Sequence, residues 1–390
     1  MTKADYMNKL QEKLEQFNQG LQEEILEDYE QHFAEGLAMG KSEEEIIEEL
    51  GNIEEMIQEF SEEDFKQEMI PAGAEQEQAS EQAYSGAYRA IVADGMVADI
   101  ELKESEDGRL YVHYENDDET LKQIYRFYQY ERDGIFYVGV KRKEETETAG
   151  AKRLVLFGRT ILSFQNARMR GGDISLILEV PKGIPSVQVR TLSGDIEVRG
   201  LHVGELQVNT NSGDLEAENV ETDALEAGTT SGDLLLRETK SGKLDIQTSS
   251  GDVELEKVDA ESCVIKTGSG DVCISALKGD TVSVGTGSGD VELHAEAEEY
   301  TVKTGSGDIS IAGAAKAKAI RLRTGSGDVE LGITAVPGAE IHVTTGSGDI
   351  EIYGSGVNQC GGRESSYVYG DASCKVKVST GSGDVSVNCK

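Results

Sequence analysis

The stretch TGSGDVCISALKGDTVSVGTGSGDVEL, residues 267–293, contains one complete repeat, from Thr267 to its counterpart Thr286. Ser-Gly-Asp ends at Asp195, Asp214, Asp233, Asp252, Asp271, Asp290, Asp308, Asp328, Asp349 and Asp384, and a related Gly-Gly-Asp ends at Asp173. The first five intervals after Asp195 are 19 residues each, and the next three are 18, 20 and 21. Self-similarity at a fixed period marks a repeat architecture, so the motif is read as a unit of fold before it is read as a site.

Numbered from the Asp, apolar residues recur at −8, −6, +1 and +3: Cys263, Ile265, Val272 and Ile274 in one copy, Val282, Val284, Val291 and Leu293 in the next. Position +2 is commonly acidic, as in Glu254, Glu292, Glu330 and Glu351. Alternation of period two on both sides of the motif predicts two short strands per repeat, each with one buried face. Position −4 is Thr191, Thr210, Thr229, Thr248, Thr267, Thr286, Thr304, Thr324, Thr345 or Thr380, and its parity with −8 and −6 predicts an inward hydroxyl seam. The inward set jumps from −4 to +1, which an unbroken strand cannot do. Gly-Ser-Gly-Asp is therefore expected to be a corner with glycine in the left-handed region. A unit this small cannot bury its own inner face, but stacked units can. The expected fold is mainly β, a β-solenoid of two-strand rungs with a small N-terminal helical domain.

The chain before the repeats has a different organisation. Residues 1–68 carry apolar positions at helical spacing, Tyr6, Leu10, Leu14 and Phe17, then Leu21, Ile25, Tyr29 and Phe33. Ser42 with Glu45 and Asn52 with Glu55 have capping-box spacing, which predicts four short helices. Residues 1–82 hold 24 acids and 5 bases. Residues 69–84 are poor in large apolar side chains and are expected to be a linker. From 85 to 170, alternating segments such as LYVHY (110–114) and IFYVGV (135–140) are expected to be entry strands capping the solenoid, which then runs from 171 to 390 with an inserted loop at 353–375.

The 390 residues carry a formal charge of −37, which excludes nucleic acid as a partner of the whole molecule because phosphate is repelled at long range. No apolar run approaches a bilayer span and the N-terminal segment lacks an apolar signal core, so the expected location is cytoplasmic, the alternative being cell-surface association by a non-standard export route. The 5 cysteines show no zinc spacing, and Cys360 with Cys374 is a pair that oxidation would bridge.

Stacked Asp carboxylates repel unless they are neutralised or hydrogen-bonded; bound Ca²⁺ is one solution and backbone N–H donors at the corner are the other. With one Asp per repeat, the reading is structural and no cofactor is expected. The histidines fall in no catalytic or metal spacing, and Gly36 to Ser42 is one residue short of a phosphate loop, so no catalytic residue is assigned. Candidate interaction residues are the basic group Lys141, Arg142, Lys143, Lys152, Arg153 and Arg159, suited to anionic headgroups or to an acidic protein surface, and Arg363, Tyr367 and Tyr369 in the inserted loop. Because the last strand, Val385 to Val387, ends next to Lys390, an uncapped end rung is expected to invite a protein partner or a second copy.

Two stretches carry a resemblance. LQEEILEDYEQHFAEGLAMGKSEEEIIEELGNIEEM (21–56) resembles the HAAS helical signalling domain, and the TGSGDVEL repeats with LILEVPKGIPSVQVRTLSGDIEV (176–198) resemble the putative-adhesin β-strand-repeat family. The pairing is similar to YvlB-type and LiaX-type proteins of Gram-positive bacteria. It implies a non-enzymatic part in cell-envelope stress or antimicrobial-peptide responses, through protein or membrane-surface binding, and supplies no catalytic motif. The alternatives are a surface-displayed adhesin that binds a cell-wall polymer and, further off, a β-helix polysaccharide hydrolase or lyase.

Overall fold

The computed structural model describes residues 3–14, 75–76, 82–143, 155–156, 159–160, 174–334, 336–354 and 357–389. The chain divides into two compact units, residues 1–72 with 145–168, and residues 73–144 with 169–390. In the first unit, helix Lys3–Leu14 buries Tyr6 and Leu10, one turn apart on its apolar stripe. The other expected helices lie outside the described residues.

The second unit is the β-solenoid that the repeat predicts. Each rung places one strand before the Ser-Gly-Asp corner and one after it, and equivalent strands pair in parallel and in register. Leu244 is opposite Cys263 and Cys263 opposite Val282 on the pre-corner side; Val253 is opposite Val272 and Val272 opposite Val291 on the post-corner side. Like therefore stacks on like, and the −8, −6, +1 and +3 side chains of both sheets close one continuous core. Each fully buried Val, Ile or Leu contributes about 1.5–3 kcal/mol, which no rung gains alone.

The corner glycines are needed for a different reason from the one the sequence suggests. The Gly preceding the Asp is not left-handed in Gly270 or its neighbours. Instead, a Cβ on Gly270 would fall 1.8 Å from the carbonyl oxygen of Gly251 in the rung below. Left-handed residues occupy the opposite corner, five positions after the Asp, at Gly200, Asn219, Glu238 and Lys257.

Strand order departs from chain order at both ends. The strands Ala90–Asp94 and Asp99–Glu104 form a rung inside the expected entry region. They pair with Ser186–Thr191 and Ile196–Arg199, while Ile135–Arg142 and Ile174–Val180 lie outside them. Antiparallel strands Tyr125–Arg132 and Leu110–Asn116 close that end. Glu75–Gln76 and Gln82–Tyr84 extend it, so part of the expected linker is strand. Backbone pairing on an existing edge needs no apolar side chain, which is why composition missed it.

At the other end the last rung of the chain is not the last rung of the stack. Cys374–Ser382 lies between Ala319–Thr324 and Ala339–Ser347, and Val385–Cys389 lies between Val329–Ile333 and Ile350–Gly354. The inserted segment carries the chain back. Val357–Cys360 pairs antiparallel to Ile350–Gly354, and Glu364–Tyr369 antiparallel to Ala339–Ser347. The uncapped end rung expected from sequence is corrected accordingly: the C-terminal strands are interior and the antiparallel pair covers the outermost rung.

Candidate interaction surfaces

The corner ladder is a set of inter-rung bonds. The Asp214 N–H donates to Asp195 Oδ1, and the pattern repeats upward at 2.7–3.0 Å for each ladder Asp on the one beneath. In return the N–H of the residue after the lower Asp donates to the carbonyl of the upper one, as from Ile196 to Asp214 at 2.9 Å. The ladder begins one rung earlier than the repeat shows, at Asp99, whose Oδ1 accepts the Asp195 N–H at 3.0 Å. Asp99 belongs to Ala-Asp-Ile rather than Ser-Gly-Asp, so the motif could not reveal it. One carboxylate oxygen of each lower Asp is held by an N–H donor, which relieves the stacking of like charge. Among the described residues no three His, Cys, Asp or Glu side chains are grouped to hold a metal.

The threonines are buried behind the ladder. Thr286 Oγ1 donates to the Gly270 carbonyl at 3.2 Å and accepts the Gly289 N–H at 3.0 Å, so one hydroxyl joins two rungs and tightens its own corner. Thr210, Thr229 and Thr267 below it, and Thr304 above, bond in the same two directions. The ladder Asp and Thr are thereby engaged in stacking the rungs.

The outer face of the post-corner sheet is acidic. At its N-terminal end an open groove of about 440 Å³ is lined by Asp99, Glu101, Asp195, Glu197, Asp214 and Glu216, with Ser175 and Ile177 from Ile174–Val180 on its rim. Arg237 Nη1 contacts Glu216 at 3.1 Å, and Arg199 contacts Glu197.

The outer face of the pre-corner sheet carries the opposite sign toward the C-terminal end. Pairing sets Thr301, Arg321, Lys377 and His342 in one row across four strands, and Lys303, Arg323, Ser379 and Thr344 in the next. Lys303, Arg321, Arg323 and Lys377 are exposed and form no ion pair among the described residues. Sequence reading missed this cluster because Arg321 and Lys377 are neighbours only after the last rung is threaded inward.

Of the basic residues singled out from sequence, Lys141 and Arg142 end the strand Ile135–Arg142 and Lys143 follows it. Lys143 Nζ donates to the Lys122 carbonyl at 2.5 Å. Lys152 and Arg153 lie outside the described residues, and Arg159 begins the short strand Arg159–Thr160. Within the solenoid unit, Lys141, Arg142 and Lys143 lie at the N-terminal end of the stack, and Arg363, Tyr367 and Tyr369 at the far end. There Tyr367 and Tyr369 stack with ring centroids 6.1 Å apart and pack on the end of the core, and Arg363 accepts the Thr345 N–H on its carbonyl at 2.9 Å. Burial, with Cys389 beside it, pushes the Tyr369 phenol up to about 12. No cysteine is in a disulfide: Cys360 is exposed, whereas Cys374 is buried, its thiol pushed up to about 11 by burial and then by Cys389. Tyr300 is buried, its hydroxyl donating to the Ala295 carbonyl at 2.6 Å and accepting the Ala297 N–H at 2.8 Å. Among the described residues no helix is long and apolar enough to cross a membrane.

A family model described as Toastrack DUF4097 matches residues 88–301 and again 260–388. A second, described as HAAS, matches residues 5–59. Three solved structures are similar. A putative cell adhesion protein from Clostridium sporogenes is 10% identical, with 80% of this chain and 100% of that one covered and a TM-score of 0.23. A putative lipid binding protein from Parabacteroides distasonis is 14% identical, with 82% and 98% covered and a TM-score of 0.35. A putative adhesin from Bacteroides fragilis is 12% identical, with 80% and 98% covered and a TM-score of 0.30. No curated protein matches the chain.

Proposed function

The chain belongs to the Toastrack DUF4097 family, and on that premise we propose that it is a non-enzymatic scaffold of the bacterial response to cell-envelope stress, acting by binding protein or membrane surfaces. The observation that carries this reading is the use of the repeated polar residues. Corner Asp and Thr residues are engaged in rung-to-rung hydrogen bonds, such as those of Asp271 and Thr286, which leaves rigid charged faces as the surfaces that meet other molecules. A long sheet of parallel strands holds those charges at fixed spacing, and that rigidity suits docking. The HAAS match over 5–59 supports a signalling part for the N-terminal segment. On this reading the scaffold works in the cytoplasm.

Full-length protein and a variant lacking residues 1–68 are recovered from fractionated cells, with and without an envelope-active antibiotic. The proposal expects a partner protein or the membrane fraction to be retained by the full chain and lost on truncation, and cells lacking the protein to be sensitised. Digestion of the protein by protease added to intact cells would instead favour a surface adhesin, and release of reducing sugar from wall polysaccharide would establish an enzyme.

A further inference from the structure

Resting on the scaffold reading, and naming one partner for it, we propose that the solenoid associates with a second copy of itself, head to tail. The basic cluster Lys303, Arg321, Arg323 and Lys377 of one copy seats on the acidic groove formed by Glu101, Glu197 and Glu216 of the next. Both surfaces lie in the solenoid unit and both are outward faces of rigid sheet. They lie on different sheets and toward different ends of the stack, so neither can satisfy the other within one copy; Glu197 and Glu216 hold Arg199 and Arg237 of their own copy, and these weak surface contacts are exchanged on docking.

Complementarity of sign is joined by complementarity of spacing. Glu101, Glu197 and Glu216 stand opposite one another on successive parallel strands. Arg321 and Lys377 do the same. Neighbouring strands lie about 4.8 Å apart on either face, so two copies of one stack present charges at the same pitch. The side chains also match in reach. Arg and Lys are long and flexible enough to enter an open groove, and guanidinium binds carboxylate in two parallel bonds. A chain of charge −37 repels its own copies at long range, but at physiological salt the Debye length is about 8 Å, so only charges near the contact count. An interface between two different patches is heterologous and leaves one unused patch at each end of a dimer, so further copies can add. The contact spans a few strands, so a weak, concentration-dependent association is expected.

The test is sedimentation velocity of the full chain near physiological salt and at several-fold higher salt. Two charge-reversed forms are compared with it. One carries Arg321→Glu, Arg323→Glu and Lys377→Glu; the other carries Glu101→Lys, Glu197→Lys and Glu216→Lys. Circular dichroism melting checks that each folds like the parent. The parent is expected to form dimers and longer chains that weaken roughly tenfold or more in high salt. Each reversed form alone is expected to remain monomeric. Mixed, they restore opposite charge at both contacts, native groove on native basic face and reversed face on reversed groove, and should recover chains in which the two forms alternate. A parent that stays monomeric at all concentrations overturns the proposal, as does a basic-face variant that still self-associates. A monomeric parent that floats with anionic phosphatidylglycerol vesicles, and ceases to when the basic face is reversed, assigns that face to a membrane and overturns it too. Loss of the envelope-stress phenotype with self-association intact would count against the scaffold's proposed role, not against this contact.

Discussion

Asp349 donates its backbone N–H to Asp384 Oδ1 at 2.8 Å although 35 residues separate them, and Asp384 in turn donates to Asp328 at 2.7 Å. The stack therefore runs Asp328, Asp384, Asp349, and the final rung of the chain is locked beneath the one that precedes it in sequence. A loose C-terminus on a solenoid can fray from the end. Here fraying would require a rung to be drawn out from between two others.

The carboxylate ladder predicts a difference between two substitutions at one site. Asp271→Ala removes the acceptor of the Asp290 N–H and should cost about 1–2 kcal/mol in urea unfolding. Asp271→Asn keeps an acceptor oxygen and removes one of a row of like charges, so it should be close to neutral.

Close stacking predicts which glycines tolerate a methyl group. At Gly270 the added Cβ would meet the Gly251 carbonyl, whereas at Gly285 nothing lies within 4 Å. Gly270→Ala should lose about 3 kcal/mol or more by forcing rungs apart. Gly285→Ala should be neutral or gain about 0.5–1 kcal/mol from reduced chain entropy. Thermal melts of the two variants provide the comparison.

Tyr300 predicts the value of one buried hydroxyl. In Tyr300→Phe the Ala297 N–H loses its acceptor inside the core, with an expected loss of about 1–3 kcal/mol and little change in shape. Burial pushes the phenol up to about 12, so in the parent its absorbance should resist alkaline titration until unfolding begins.

Cys263 predicts an alkaline limit. Burial pushes its thiol up to about 12, above the value of about 8.5 in an unfolded chain. The fold therefore favours the neutral thiol, and this contribution is complete below about pH 8.5 and is lost as pH rises toward 12. Cys263→Val keeps an apolar side chain opposite Leu244 and Val282 and should lessen the loss of stability between about pH 8 and pH 11 by an amount on the order of 3 kcal/mol, measured by urea unfolding.

How far the sequence revealed this fold follows from what each residue reports. Alternation around Asp271 and Asp290 states plainly that a rung exists and which side chains face inward, because burial acts on every residue of a strand. It cannot state the order of the rungs. Val376 and Ile341 are equally good neighbours for Ile320, so swapping two rungs leaves the inward pattern unchanged. The corner glycines were similarly ambiguous, since a glycine needed for a left-handed backbone and one needed for close approach look alike until the rung below is placed. The surfaces were the least legible. Lys303, Arg321 and Lys377 become a cluster only through pairing, and Asp99 joins the ladder through a corner that lacks the motif. The spacing of Tyr6, Leu10 and Leu14 accords with the helix Lys3–Leu14, and the rest of the expected helical segment 1–68 lies outside the described residues.

The most direct test of the rung order uses paired cysteines on the outer face, with oxidation followed by peptide mapping. Arg321→Cys with Lys377→Cys places the two on adjacent, registered strands, within the span of about 4.4–6.8 Å between Cα atoms that a disulfide bridges. Arg321→Cys with His342→Cys places them two strands apart, about 9.6 Å at the usual strand spacing, which is too far. The threaded stack predicts a disulfide in the first variant and none in the second. A bond between positions 321 and 342 without one between 321 and 377 would show the rungs stacked in chain order and would contradict the account.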